Sequence, residues 1–356
     1  MKELFSQNPD DFFRLITKRT ETSLLQEAEI FKLFEKEKIL IIGAGGSIGS
    51  ALSQRLTHSK LSNLFFLDRD ESSLHRLSLE LNNGSAAHLE NFFVGDIRDY
   101  SSVEEIIANI KPTFVIHAAA LKHLSILERF PREGFVVNLI GTMNVAEICV
   151  KNNVKHFVNI STDKAAHPTS ILGKTKKLAE ILTEEIFLGS DLIQCSVRFG
   201  NVFASRGSAI ETFIHQIKND LSITLSHPDV ARFFMSPYEA ANLVLAAASL
   251  NESGTYIQNM GEEVLIFDVI NRLAEFFNAN ASISISGLRS GEKLHEDLQD
   301  GPSTNTKYKS IVRSVHVLKP GLHQEIKNSL PISNNEALVT IEKLIIKYGN
   351  GSLKTK

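Results

Sequence analysis

The stretch ILIIGAGGSIG, residues 39–49, consists of an apolar run followed at once by a glycine-rich loop. Four consecutive apolar residues predict a strand buried on both faces, and the pattern from Ser47 onward predicts a helix. Glycines in such a loop permit a tight turn and a close approach of the backbone to a pyrophosphate, and the start of the helix offers N–H donors. We therefore predict a dinucleotide site at this loop. The loop residues predicted to hold it are Gly43, Gly45, Gly46, Ser47, Ile48 and Gly49.

Two acidic residues further along the chain extend this prediction to the adenosine end of the dinucleotide. Asp68 ends the second apolar run. A carboxylate at this place accepts hydrogen bonds from the ribose hydroxyls of the adenosine and repels a 2′-phosphate. This favours NAD, although Arg69 beside it could receive that phosphate or stack on adenine, so NADP remains the less favoured cofactor. Asp96, followed by Ile97, ends the third run and is predicted to reach the adenine amino group. The alternative for Asp96 is a structural role on nearby backbone donors.

Short apolar runs and helical patterns alternate over the first 200 residues. Runs of four or five apolar residues without in/out alternation are typical of a parallel sheet covered by helices on both faces, so we predict a doubly wound α/β, or Rossmann, fold. The predicted strands are 39–42, 64–67, 92–94, 114–117, 157–160 and 193–197. The alternation dissolves after Gly200, which predicts a smaller C-terminal substrate-binding lobe. The predicted parts are a helical extension (1–36), the dinucleotide domain (37–200, to which later segments return), the substrate lobe (201–300) and a C-terminal tail with a helix (301–356).

Composition excludes several classes of protein. A hydrophobic fraction of 43% in 356 residues supports a full core, and 38 Lys and Arg against 41 Asp and Glu argue against a nucleic-acid partner.

Cys149 and Cys195 lie in or beside apolar runs and suit a reducing compartment. His117 and His123 lack partners at ligand spacing, so no metal site is predicted. No apolar run approaches the ~20 residues of a membrane span, and the amino terminus has no signal-like pattern. We expect a soluble cytoplasmic protein without a membrane span.

Seven further stretches carry a resemblance to a known family. They are HAAALKH (117–123), NLIGTMNVAE (138–147), STDKAAHPTS (161–170), GKTKKLAE (173–180), VRFGNVFASRGS (197–208), ARFFMS (231–236) and GLRSGEKLHEDL (287–298). With the glycine loop, they make the chain resemble the extended short-chain dehydrogenase/reductases, specifically the nucleotide-sugar 4,6-dehydratases of polysaccharide biosynthesis. Small residues after the fourth strand, Ala118 and Ala119, let the chain pass close to the nicotinamide side of the cofactor.

The sequence departs from this family at one position. The family usually carries Tyr-x-x-x-Lys on the helix after the fifth strand, whereas this chain has Leu172 and Lys176. Leucine cannot transfer a proton, so the usual base for oxidising a sugar hydroxyl is missing. Some resembling enzymes have methionine at this place and retain the C5 configuration, which by analogy predicts an active and retaining enzyme.

The resemblance implies the roles of the remaining site residues. Water loss between C5 and C6 requires prior oxidation at C4, a base for C5, an acid for the C6 hydroxyl and a positive charge near the cofactor ribose. Lys164 is the implied C5 base and Asp163 the acid, with the assignment between them open; Thr162 lies near C4, and Lys176 binds the ribose. The implied substrate-binding residues are Lys122, Asn201, Ser205, Arg206, Arg232, Arg289 and Glu292. Arg232 could instead only anchor a loop.

The predicted function is a UDP-N-acetylglucosamine 4,6-dehydratase that uses NAD. A GDP-linked sugar, and a nucleotide-sugar epimerase acting at C4 or C5, remain the alternatives among enzymes. A catalytically silent NAD-binding regulator is the alternative outside enzymes, which Leu172 favours and the retained charged residues oppose. The resemblance also implies a homo-oligomer.

Overall fold

The computed structural model describes residues 9–19, 27–59, 61, 63–85 and 89–349. Within them, nine strands form one sheet, in which the two carboxyl-terminal strands lie at one edge and the third strand at the other. In spatial order the strands are β14 (Ser303–Asn305), β15 (Ile311–Ser314), β11 (Gly254–Gln258), β6 (Ile193–Arg198), β5 (His156–Ile160), β4 (Phe114–His117), β1 (Ile39–Ile42), β2 (Leu64–Asp68) and β3 (Phe92–Val94).

The sheet from β11 to β3 is parallel throughout, and β15 and β14 add antiparallel strands at the β11 edge. β1 pairs with β2 on one side and with β4 on the other, so the strand order reverses between β1 and β4. Ligands of open parallel sheets bind in the crevice at such a reversal, beyond the carboxyl ends of the strands. The predicted doubly wound fold is confirmed.

Helices cover both faces of the sheet. In chain order they are α1 (Pro9–Thr17), α2 (Glu27–Phe34), α3 (Ser47–His58), α4 (Glu71–Leu81), α5 (Tyr100–Ile110), α6 (Leu124–Arg129), α7 (Pro131–Lys151, with a π-helical turn at Phe135–Gly141), α8 (Ile171–Phe187), α9 (Ala209–Lys218), α10 (Pro237–Ser249), α11 (Ile266–Phe276), α12 (Leu322–Asn328) and α13 (Asn334–Leu344). Among the described helices, α7 alone is long and apolar enough to cross a membrane, and 72% of its apolar window is buried inside the protein. Its apolar residues are therefore used in the core.

A second lobe is built from short strand pairs beside the main sheet. Its pairs are β7 (Asn201–Val202) with β10 (Phe234–Met235), β9 (Ala231–Arg232) with β12 (Val264–Leu265), and β8 (Ile223–Leu225) with β13 (Ile283–Ile285). Phe203 lies in its core, where the rings of Phe12 and Phe13 from α1 approach it to 5.7 and 5.5 Å. Helix α1 thus packs on this lobe, whereas Phe34 of α2 packs on Phe114 of the main sheet at 5.2 Å.

The segment predicted to be a C-terminal tail contains two strands of the main sheet, β14 and β15. The three residues of β14 are polar and exposed, so they carry no apolar signal. Helix α5 begins at Tyr100, because the Asp99 side chain caps it by accepting a hydrogen bond from Ser102 N at 3.1 Å.

Candidate functional site

The glycine loop after β1 has a geometry that side chains would destroy. Gly43 adopts a φ of +82°, and a Cβ there would lie 2.6 Å from Ala119 N. A Cβ on Gly49 would lie 2.1 Å from Gly43 O, so α3 packs directly against the turn that precedes it. Backbone N–H groups at the start of α3 remain available to an anion because a helix leaves its first donors unpaired. The loop therefore fits a pyrophosphate.

The loop opens into a cleft that collects most of the predicted cofactor residues. Asp68 Oδ2 accepts from Gly45 N at 2.8 Å, which fixes the carboxylate at the cleft wall. Asp96 also lines the cleft, and its pKa is lowered chiefly by the hydrogen bond from the Arg98 side chain. The predicted residues at the cleft are Gly43, Gly45, Gly46, Asp68, Arg69, Asp96, Ile97, Ala118 and Ala119. Ser47, Ile48 and Gly49 continue from the loop into α3.

Arg206 lies at this cleft as well, although the family resemblance assigned it to the substrate. Its guanidinium donates to Gly45 O at 3.1 Å and to Ser73 Oγ at 2.8 Å, and its backbone N donates to Ser47 Oγ at 3.1 Å. The loop after β7 therefore reaches from the second lobe back to the glycine loop. Lys122 Nζ and Ser205 Oγ, 3.5 Å apart, lie beside it.

The turn after β5 carries the predicted acid–base pair. Asp163 is fully buried and Lys164 partly buried, and Lys164 Nζ donates to Asp163 Oδ1 at 3.0 Å and to Asn201 Oδ1 at 3.1 Å. Thr162 Oγ1 donates to the same Asp163 oxygen at 2.8 Å. Burial lowers the pKa of Lys164, but the carboxylates of Asp163 and Glu296 raise it more, so the net shift is upward. Lys164 therefore rests as an ammonium ion.

Helix α8 lies unusually close to this turn at Gly173. A Cβ on Gly173 would lie 2.2 Å from the carbonyl oxygen of Lys164, well inside the distance that any side chain tolerates. The Ser170 side chain caps the helix by accepting from Gly173 N at 3.1 Å. The contact places Lys176, one turn further along α8, on the same side of the protein as the acid–base pair.

Lys176 and Leu172 occupy the two positions of the family's Tyr-x-x-x-Lys pattern. Lys176 is buried, and desolvation lowers its pKa to about 8. Leu172 packs in an apolar cluster with Leu127 and Phe135 and has no group that could transfer a proton. His117, whose Nε2 lies 3.0 Å from Thr142 Oγ1, is neutral because burial, with a contribution from Lys176, lowers its pKa to about 3.

The buried Lys176 should destabilise the protein in the absence of cofactor, and Lys176→Met should stabilise it at neutral pH. Below pH 8 the lysine is charged in both the folded and the unfolded chain, so the folded chain bears the full desolvation penalty. We expect Lys176→Met to raise the free energy of unfolding at pH 7 by about 1–3 kcal/mol. The gain should vanish as the pH rises from about 8 to 10.5, because the wild-type lysine then folds neutral.

Urea unfolding of the cofactor-free proteins at neutral and alkaline pH measures this difference. Lys174→Met is the matched control, because Lys174 lies on the same helix but its ammonium is paired with the carboxylate of Glu342. Lys174→Met removes an ion pair, whereas Lys176 forms none with the residues that the structure describes, so Lys174→Met should give no gain in stability. A Lys176→Met protein no more stable than wild type at pH 7 contradicts the prediction.

The predicted substrate residues of the second lobe contact one another through the segment 287–298. Arg232 is buried, and its guanidinium donates to Leu294 O at 3.0 Å and to Lys293 O at 2.9 Å, so it holds this segment in place. Glu292 accepts from Ser226 Oγ at 2.9 Å and from Arg289 N at 3.1 Å, and the Arg289 side chain is exposed. Arg232 therefore makes the anchoring contacts of the alternative prediction.

The same segment brings two residues to the acid–base pair that the sequence interpretation missed. Glu296 Oε1 lies 3.6 Å from Lys164 Nζ, and Lys293 Nζ donates to Ala166 O at 3.1 Å. Both residues belong to the stretch GLRSGEKLHEDL (287–298), whose resemblance to the family was the signal that could have identified them. Their direction toward the turn after β5 depends on how the two lobes pack, which the sequence pattern does not encode.

Within the described residues, no group of three or more His, Cys, Asp or Glu side chains could hold a metal ion. Both cysteines are buried, and burial raises the pKa of each thiol, that of Cys195 to about 12. Neither thiol is therefore poised as a nucleophile.

The parallel sheet, the glycine loop at its strand reversal and the lysine on the helix after β5 together define a short-chain dehydrogenase/reductase with a Rossmann-like fold. More narrowly, the chain belongs to the polysaccharide biosynthesis protein family, whose model matches residues 39–316. This confirms the resemblance to the extended short-chain dehydrogenase/reductases of polysaccharide biosynthesis.

Individual relatives agree with this family. The capsular polysaccharide biosynthesis protein CapD of Staphylococcus aureus is 36% identical over 282 residues, which are 77% of this chain and 47% of CapD. The chain thus spans about half the length of the first curated relatives it matches. A UDP-glucose 4-epimerase of Rickettsia canadensis is 33% identical over 273 residues, covering 75% of this chain and 78% of the epimerase.

Solved structures give the same fold. The structure of Pen from Bacillus thuringiensis superposes with a TM-score of 0.68 at 33% identity, covering 74% of this chain and 84% of that protein. Other structures of the fold, at 21–23% identity, were determined with NAD bound. The comparison supports the predicted fold.

Proposed function

We propose that the protein is an NAD-dependent 4,6-dehydratase of a nucleotide sugar, with UDP-N-acetylglucosamine as the substrate. The observation that carries the proposal is the buried pair Asp163 and Lys164 on the turn after β5, beside a cleft that fits a dinucleotide. Elimination of water next to a ketone needs an acid and a base held together and shielded from solvent. A buried carboxylate in contact with an ammonium provides both groups.

Residues of the glycine loop would hold the pyrophosphate, Asp68 the adenosine ribose and Lys176 the nicotinamide ribose. The bound NAD supplies hydride exchange with the sugar at C4 and C6. Asp68 supports NAD over NADP, because its carboxylate would repel a 2′-phosphate. Arg206 donates to Gly45 O, so it would hold the glycine loop beside the pyrophosphate.

The acid–base pair would move the protons of the reaction. Thr162 would orient the C4 hydroxyl, one member of the pair would remove the C5 proton, and the other would protonate the departing C6 oxygen. Lys164 rests as an ammonium ion, so as the C5 base it must first pass its proton to the Asp163 carboxylate that it contacts, and Asp163 then supplies the proton for the departing C6 oxygen. If Asp163 is the base instead, the Lys164 ammonium supplies that proton directly. Leu172 keeps an apolar wall where the family usually has tyrosine, and the analogy with methionine-bearing relatives favours retention at C5.

The substrate proposal extends to the second lobe. Arg289 is exposed on the segment that lies over the turn after β5, and a guanidinium binds two phosphate oxygens at once. Lys122 Nζ and Ser205 Oγ lie together at the loop after β7 and would contact the sugar or its phosphate. A cytoplasmic location and a homo-oligomer belong to the same proposal; light scattering of the purified protein tests the oligomer.

A C4 epimerase is the second candidate, favoured by the identity of 33% to the Rickettsia UDP-glucose 4-epimerase. Both reactions begin with oxidation at C4, but an epimerase loses no water. Incubation with UDP-N-acetylglucosamine in heavy water, followed by mass spectrometry and proton NMR, separates them. The proposal predicts a product that has lost one water and carries a solvent deuteron at C5. An unchanged mass with a new C4 isomer identifies the epimerase. A nucleotide sugar that remains unchanged in mass and NMR spectrum supports a silent regulator.

A GDP-linked sugar is tested in the same way. The parallel reaction with GDP-N-acetylglucosamine should give no product at concentrations that saturate the UDP reaction. Turnover of the GDP sugar at an equal or higher kcat/KM overturns the choice of nucleotide while leaving the reaction type intact.

A further inference from the structure

Glu296 is a buried carboxylate that reaches the acid–base pair from the second lobe. Its side chain is 3% exposed, and Oε1 lies 3.6 Å from Lys164 Nζ and 4.0 Å from Arg232 Nε. Oε2 lies 3.9 Å from Lys293 Nζ. Three cations therefore face this one carboxylate from three different segments of the chain.

The charges around Lys164 are correspondingly balanced. Its ammonium faces the carboxylates of Asp163 and Glu296, while Arg232 faces it as a like charge. Glu296 in turn faces Asp163 as a like charge, besides the three cations. Within the described part of the chain, Asp163 Oδ2 and Glu296 Oε2 are buried and accept no hydrogen bond. Buried oxygens of this kind are rare in folded proteins, and each calls for a specific explanation.

We propose that Glu296 is a positioning residue of the acid–base pair, fixing the Lys164 ammonium against Asp163 and controlling when that ammonium can release its proton. The proposal rests on the proposed function for the role of Lys164, although the charge contact itself does not. Because Glu296 belongs to the segment that also carries Arg289 and Glu292, it connects the sugar-binding lobe to the proton-transferring turn.

The physical consequence is a dependence of Lys164 on the Glu296 charge. An opposite charge within about 4–6 Å stabilises an ammonium ion and raises its pKa by about 1–3 units. Removing the charge leaves Lys164 with Asp163 alone and with Arg232 still repelling it. The neutral amine then becomes accessible at a lower pH.

Glu296→Gln tests this with a side chain of the same shape and no charge. Competitive labelling with a small amine-reactive reagent at about pH 9 reports the neutral fraction of Lys164 without any turnover. The labelled peptides are quantified by mass spectrometry. We expect the labelling of Lys164 to increase at least about tenfold. A pKa that is lower by about one unit gives about ten times as much neutral amine at a pH below that pKa. The matched control is Asp297→Asn, which removes the adjacent exposed carboxylate that contacts Lys293 and His167. It should leave the labelling of Lys164 unchanged.

A second readout is the pH profile of C5 proton exchange in the sugar. For Glu296→Gln the limb that reports Lys164 should shift to lower pH, whereas a merely structural role would lower the rate at every pH. If Glu296→Gln does not fold, Glu296→Asp keeps the charge at a greater distance and should give intermediate labelling. Unchanged Lys164 labelling in a folded Glu296→Gln protein overturns the inference. Altered labelling in a protein that acts on no nucleotide sugar leaves the inference standing and overturns the proposed function.

Discussion

Lys164→Met is expected to lower kcat for water loss by about 10²–10⁴-fold, the usual contribution of a positioned acid or base. The side chain keeps a similar length but loses the amine that contacts Asp163 at 3.0 Å and Asn201 at 3.1 Å. The buried Asp163 carboxylate then loses the cation that it contacts. Steady-state kinetics of product formation measure the effect.

Deuterium exchange at C5 separates the two roles left open for Lys164. If Lys164 is the base, Lys164→Met should stop exchange together with water loss; if it is the acid, exchange should continue while water is retained. Asp163→Asn gives the reciprocal pattern. Lys218→Met, a surface lysine whose ammonium lies over the Phe277 ring, is the control and should keep wild-type kinetics. Wild-type product formation by Lys164→Met contradicts the assignment of this turn to the chemistry.

Gly173→Ala is expected to reduce activity by about 100-fold while the protein still folds. Its Cβ would lie 2.2 Å from Lys164 O, and because that neighbour is backbone, the turn itself must move. Overpacking costs about 1–3 kcal/mol, offset in part by the roughly 1 kcal/mol that alanine gains over glycine in a helix. A displacement of about 1 Å at catalytic groups costs about 10² in rate.

The measurement pairs kcat with thermal unfolding of the same preparation. Gly301→Ala is the matched control, because a Cβ there would meet Val315 O at an ordinary 3.6 Å. Activity near wild type in Gly173→Ala would show that α8 can withdraw from the turn without moving Lys164. A protein that unfolds at much lower temperature would instead assign the contact to stability.

Most of the sheet could be predicted because its central strands are buried on both faces and its predicted strands read as short apolar runs. The runs 39–42, 92–94 and 114–117 have the observed bounds to the residue. β14 could not be predicted in this way, because its three residues are polar, exposed and paired only at the edge of the sheet. Edge strands carry little apolar signal since one side meets solvent.

The candidate site shows the same division between local and long-range information. The glycine loop and the cluster after β5 follow their strands directly in the chain, so their approximate place was readable. Arg206 contacts the glycine loop 161 residues away, and Glu296 contacts Lys164 132 residues away, distances in sequence that no local pattern reports. Their roles depend on how the second lobe packs on the sheet.

The fate of the C4 hydrogen separates the proposed dehydratase from an epimerase, and NMR follows it when UDP-N-acetylglucosamine carrying deuterium at C4 is incubated with the protein in ordinary water. We predict a product that has lost one water, with a ketone at C4 and the deuterium in the C6 methyl group. Deuterium that returns to C4 of an intact sugar with inverted configuration contradicts this prediction and identifies an epimerase.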